Sequence, residues 1–110
     1  MPDITEETAV AQAALLKRRE ISCVELLRAH LARIDARNPE LNAIVTLVPE
    51  RALERAHALD RDFASASAAP LFGLPIAHKD LVLTRGIKTT FGSQHVQHHL
   101  EQQDYKLSEI

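Results

Sequence analysis

The chain is short of the residues that build crosslinked or metal-stapled folds. Its 110 residues include one cysteine, Cys23, so neither an internal disulfide nor a thiolate cluster for zinc or iron–sulfur can form within it. Glycines number three, Gly73, Gly86 and Gly92, which excludes a collagen-like repeat. No apolar run approaches the length of a membrane span. Met1 to Glu7 carries acids where a secretory signal needs positive charge, so a cytoplasmic home is expected. Nor is one sign of charge in excess. The 13 basic and 15 acidic residues leave -2, without the basic field that nucleic-acid backbones or anionic membranes attract, and direct binding to either is not expected. What remains, at 45% hydrophobic and 25% charged, is an ordinary globular composition with room for one core.

Three stretches have helical patterning. Thr5 with Glu6 and Glu7 suits a helix start, and the helix is expected to run to Arg19, where Lys17, Arg18 and Arg19 match the negative end of the dipole. Ser22-Cys23-Val24-Glu25 fits a capping box, and Val24, Leu27, Leu31 and Ile34 follow at helical spacing until Asn38-Pro39 is expected to end the run. Pro49 and Glu50 open a third helix with Ala52, Ala56, Leu59 and Phe63 on one face, dissolving into the small-residue stretch 65–70. Two stretches suit strands: the β-branched run 43–48, and the apolar run 74–83, turned by Arg85-Gly86. The expected fold is therefore α/β, or mixed α+β, with N-terminal helices packed on part of a mixed sheet.

The run 74–83 is interrupted by three ionisable residues, His78, Lys79 and Asp80. On a strand Lys79 would share a face with Ala77 and Leu81, while His78 and Asp80 point the other way. Burial disfavours an ammonium. Moving a lysine from about 10.4 to about 7 costs the charged form roughly 4 to 5 kcal/mol, which only a dry pocket supplies, and a lysine so held can act as a base. The alternative is an edge lysine whose stem covers apolar surface while its head reaches water. His78 and Asp80 could form a hydrogen-bonded pair. Asp80 could instead accept backbone amides from the turn at Arg85-Gly86, holding the hydroxyl-rich loop of Thr89, Thr90 and Ser93 near Lys79.

Three segments together, 38–43, 70–80 and 86–93, resemble the N-terminal portion of the amidase signature family, most specifically in the core Gly73-Leu74-Pro75-Ile76-Ala77-His78-Lys79-Asp80. The family includes bacterial amidases and the glutamine-amidotransferase component that acts on misacylated tRNA. The likeness implies that Lys79 is catalytic, with Asp80, Thr89, Thr90 and Ser93 binding substrate or supporting the site. It also implies a Ser–cis-Ser–Lys hydrolysis of amide carbon–nitrogen bonds. The lysine would take a proton, through a serine on a cis peptide, from a second serine that attacks the carbonyl, and backbone amides would steady the oxyanion. The substrate would be a small-molecule amide, and no cofactor is implied.

Both family serines belong to a glycine- and serine-rich segment that this sequence does not contain. The chain thus reads as one partial domain, residues 1–110, an incomplete piece of the family fold from a truncated or frame-disrupted gene or a short paralogue. It carries the lysine without the nucleophile and is expected to be inactive alone. Residues 94–110 form a divergent polar tail. Its His95, His98 and His99 could face a metal at helical spacing, but a solvated terminal helix is the simpler reading and no metal is assigned. Ser93 lacks the small-residue loop of a nucleophile. The alternative function is a non-catalytic helical binding or regulatory module. In either case, self-association or a partner chain through an exposed sheet edge is expected.

Overall fold

A computed structural model of the chain describes residues 3–93. It is helical: a short 3-10 helix, Ile4–Glu6, precedes α1 (Ala9–Lys17), α2 (Cys23–Leu41), α3 (Pro49–Arg61) and the single turn α4 (Phe63–Ala66). Two compact units are distinguished, one formed by the chain up to Ala43 with Pro49–Ile76, the other by Ile44–Val48 with the chain from Ala77 onward.

In the first unit the 3-10 turn, α1 and α2 each start on a side-chain cap. The expected start at Thr5 is corrected. Asp3 caps the 3-10 turn and accepts from the Thr5 amide at 2.9 Å, while Thr8 caps α1 through the Ala11 amide at 3.1 Å. The acids Glu6 and Glu7 thus end a separate turn, as its last residue and its C-cap. α1 closes in a Schellman arrangement, with the Glu20 amide on the Leu15 carbonyl and the Arg19 amide on that of Leu16. Arg19 takes the left-handed position, φ 57°, that glycine usually fills, and its guanidinium lies 4.1 Å from the centre of the Phe63 ring.

α2 begins with the capping box expected from the sequence: Ser22 Oγ accepts from the Glu25 amide and the Glu25 carboxylate accepts from the Ser22 amide. The two remaining free amides, those of Cys23 and Val24, donate to the carboxylate of Asp60 on α3 at 2.8 and 3.1 Å. Side chains therefore satisfy all of the amides that a helix start leaves open, and one of them pins α3 to α2. Pro39 does not end α2, which corrects the expectation. A proline removes its own amide and crowds the carbonyl four residues back, but later amides can still bond. The Asn42 amide accordingly reaches the Asn38 carbonyl at 2.7 Å, with Asn42 left-handed at φ 49°.

The core of this unit is small: Leu16, Cys23, Leu26, Leu27, Ala56 and Phe72, flanked by partly buried side chains including Leu31, Ala52, Leu59 and Phe63. Phe63 and Phe72 meet edge to face at 5.5 Å.

The mixed sheet is not formed by the described residues. Among the described residues there is no strand, and the one β-bridge joins Thr84 to Ile87. A β-branched run becomes a strand only by pairing its backbone with a neighbour, so propensity alone leaves 43–48 and 74–83 open. Their apolar side chains show it, with Val45 and Ile76 more than 60% exposed. The expected α/β class is corrected to all-helical for the described residues, among which no sheet edge is present. No helix among them is long and apolar enough to cross a membrane. The polar tail 94–110 lies outside the described residues.

Candidate functional site

The second unit carries every residue singled out for chemistry. Its scaffold is a series of tight turns. The Lys79 carbonyl accepts the amides of Leu81 at 2.7 Å and Val82 at 2.9 Å, which folds the chain back directly after the lysine. Thr84 and Ile87 bridge around the expected Arg85-Gly86 turn, where Gly86 takes φ 72°. Thr89 is buried and donates through Oγ1 to the Val82 carbonyl at 3.4 Å.

Asp80 joins the Lys79 turn to the loop ten residues on. Its carboxylate accepts from the Thr90 amide at 2.8 Å and from the Thr90 hydroxyl, and its own carbonyl accepts the Phe91 amide at 3.0 Å. The Thr90 hydroxyl in turn accepts from the Gly92 amide at 3.2 Å. Hydrogen bonds from the Thr90 hydroxyl and amide, with a smaller contribution from the Gly92 amide, hold the Asp80 carboxyl below its ordinary value against a small effect of burial. The loop is thus held through Thr90, and not through amides of the Arg85-Gly86 turn, the alternative that the sequence left open. Because both carboxylate oxygens are directed to Thr90, the expected pairing with His78 is replaced.

The loop closes in an unusual turn. The Ser93 amide reaches the Thr90 carbonyl at 2.9 Å, and both residues between them have positive φ, Phe91 at 54° and Gly92 at 71°. Two central residues of that sign are the pattern of a type I′ turn. Glycine adopts it freely; for phenylalanine it costs about 1–2 kcal/mol. The sequence offers one hint, the Phe-Gly pair itself, and nothing in it marks the phenylalanine as strained.

Lys79 is exposed, as is His78. Of the two readings of Lys79, the described residues show the one whose head reaches water; the strand face that would keep the amine dry is absent with the strand. The chemistry on view is an amine open to water beside a loop whose Thr89 and Thr90 hydroxyls are engaged in structural hydrogen bonds. Among the described residues no group of three histidine, cysteine or acidic side chains could hold a metal ion, and His95, His98 and His99 lie outside them.

A cavity of about 190 Å³ lies in the first unit, lined by Arg19, Cys23, Glu25, Asp60, Phe63 and Phe72 among others. Its polar groups are structural. Asp60 and Glu25 cap α2, and burial, reinforced by the Asp60 carboxylate, pushes the Cys23 thiol up to about 12. A thiol so held is not a nucleophile at neutral pH.

The model of the family described as Amidase matches residues 25–109. The A-type subunit of glutamyl-tRNA(Gln) amidotransferase from Methylococcus capsulatus is 49% identical over 88 residues, which is 80% of this chain and 18% of that protein. Its counterpart from Geobacter metallireducens is 52% identical over 79 residues, covering 72% and 16%, and that from Dehalococcoides mccartyi 43% identical over 94 residues, covering 86% and 19%. The chain spans less than a fifth of the length of these relatives. No solved structure matches it.

Proposed function

The chain belongs to the Amidase family, and from that footing we propose that it supplies the lysine-bearing segment of an amide carbon–nitrogen hydrolase, with Lys79 as the base. In the whole enzyme the neutral amine would take a proton, relayed by one serine, from a second serine as that oxygen attacks the amide carbonyl. Collapse of the adduct would expel ammonia or an amine, which takes the proton back, and water would then cleave the acyl ester. On this reading both serines lie in the part of the relatives that this chain does not span. The relatives are named as one component of an amidotransferase for glutamyl-tRNA(Gln). The fitting substrate is accordingly a primary carboxamide whose nitrogen passes to that acceptor within a multi-subunit assembly.

One observation carries this reading: the residues matched by the family, 25–109, include Lys79, Asp80 and the 89–93 loop that Asp80 ties to it. Alone, the chain has an exposed lysine, and a base has to be relieved of its proton by burial or by neighbouring groups. We therefore assign the function to the complete protein and not to these 110 residues. The test is ammonia release from glutamine. The purified chain is expected to give none above buffer. Residues 25–93 grafted in place of the matching segment of the Methylococcus capsulatus relative are expected to support it, and an inactive but folded graft would contradict the reading.

A further inference from the structure

We infer that Asp80 is the positioning residue of the lysine site: it clasps the Thr90–Ser93 turn in its strained form and thereby fixes the backbone from which Lys79 projects. This deepens the reading of Lys79 as the base and rests on it.

The argument starts from Phe91. A non-glycine residue at φ 54° persists only where its surroundings over-determine it. Three bonds to Asp80 do so, two on its carboxylate from Thr90 and one on its carbonyl from the Phe91 amide. Thr90 extends the clasp by accepting the Gly92 amide, so the path of the chain through 90–92 is set from one aspartate. Asp80 is also the residue directly after Lys79, whose carbonyl is held by Leu81 and Val82. Releasing the carboxylate therefore frees the strained turn and leaves the turn that presents the amine on its own two bonds, without the tie to the 90–93 loop.

The same bonds say what Asp80 does not do. Both carboxylate oxygens face Thr90, which leaves the group poorly placed to exchange protons with a substrate. Thr90 likewise uses its hydroxyl as donor to Asp80 and acceptor from Gly92, which makes it part of the clasp and not a nucleophile.

Amide hydrogen exchange on the 110-residue chain tests the clasp directly. Asp80→Asn should speed exchange at Thr90, Phe91 and Ser93 several-fold, because a charged acceptor is replaced by a weaker one. Thr90→Val should behave the same way and Thr90→Ser like the parent. Adding Phe91→Gly to Asp80→Asn should restore protection at Ser93, since glycine holds positive φ unaided. Unchanged exchange at Phe91 and Ser93 in Asp80→Asn overturns the proposal.

In the grafted enzyme, Asp80→Asn should lower kcat with KM nearly unchanged, and Phe91→Gly should recover part of the loss. A raised KM at constant kcat would make Asp80 a substrate contact and overturn the positioning role. Lys79→Ala in the same graft keeps the two claims apart: retained activity there removes the base, whereas the exchange experiment judges the clasp by itself.

Discussion

Gly73 packs against Cys23 so closely that a methyl group in place of its hydrogen would sit 2.6 Å from the cysteine sulfur and 3.0 Å from Leu16 Cδ1. Its φ is +73°, so a side chain there is opposed by the backbone as well as by the core. The glycine that opens the family-like core is thus needed first for packing of the helices, ahead of any part in the chemistry that follows it in sequence.

Gly73→Ala should therefore destabilise the chain by about 2–5 kcal/mol, the sum of a left-handed alanine and an overpacked core. Gly92→Ala makes the control: it shares the positive φ, but an added Cβ there meets nothing within 4 Å. Its cost should be limited to about 1–2 kcal/mol of backbone strain. Urea denaturation of the two variants checks the difference, and equal midpoints would mean that the Gly73–Cys23 contact contributes nothing.

Asp60→Ala should cost about 1–3 kcal/mol, since it strands the Cys23 and Val24 amides at the start of α2 and releases α3 from it. The Cys23 thiol gives a second readout. Held up at about 12 by burial and by Asp60, it should resist a disulfide exchange reagent at pH 8 in the folded chain and react at once in denaturant. Rapid labelling of the native chain would contradict the buried core.

Much of the helical unit is legible in the sequence, because helix starts are local. The Ser22–Glu25 box can be read from four consecutive residues, and the face of α3 from its spacing. Asp60 cannot, since it acts on amides 36 and 37 residues away and no local pattern marks it. The start of α1 is ambiguous because Asp3, Thr5 and Thr8 are all plausible caps, and only the backbone path decides among them. The strands fail for a different reason. Runs 43–48 and 74–83 have strand composition, yet pairing is a property of two segments, and the described residues hold a single bridge. For the site, the Lys79, Asp80 and Thr90 neighbourhood can be named, while the bonds joining Asp80 to Thr90 and the strained Phe91 require three-dimensional detail.

Stability should fall as the solution is acidified, with His30 the group that acts nearest neutrality. Burial depresses its value below 6.5, against a smaller opposing pull from Asp3, and its ring lies 3.4 Å from Gln12 Oε1. A depressed value means that the unfolded chain binds the proton more readily. The contribution is therefore complete above pH 6.5 and is lost as pH drops through the lower folded value. Asp3 and Asp80 are also depressed, but from 3.8, so they act only in stronger acid. Melting curves between pH 7.5 and 5 should show a decline that His30→Gln removes; an unaltered slope in that variant would contradict it.

The central claim concerns one amine, and a single rate comparison addresses it. In the Methylococcus capsulatus relative carrying residues 25–93 of this chain, ammonia release from glutamine should fall about 10²- to 10⁴-fold on Lys79→Ala, the usual contribution of a general base. Circular dichroism should show the same helical content in both proteins. A Lys79→Ala graft that releases ammonia at the parent rate would contradict the account.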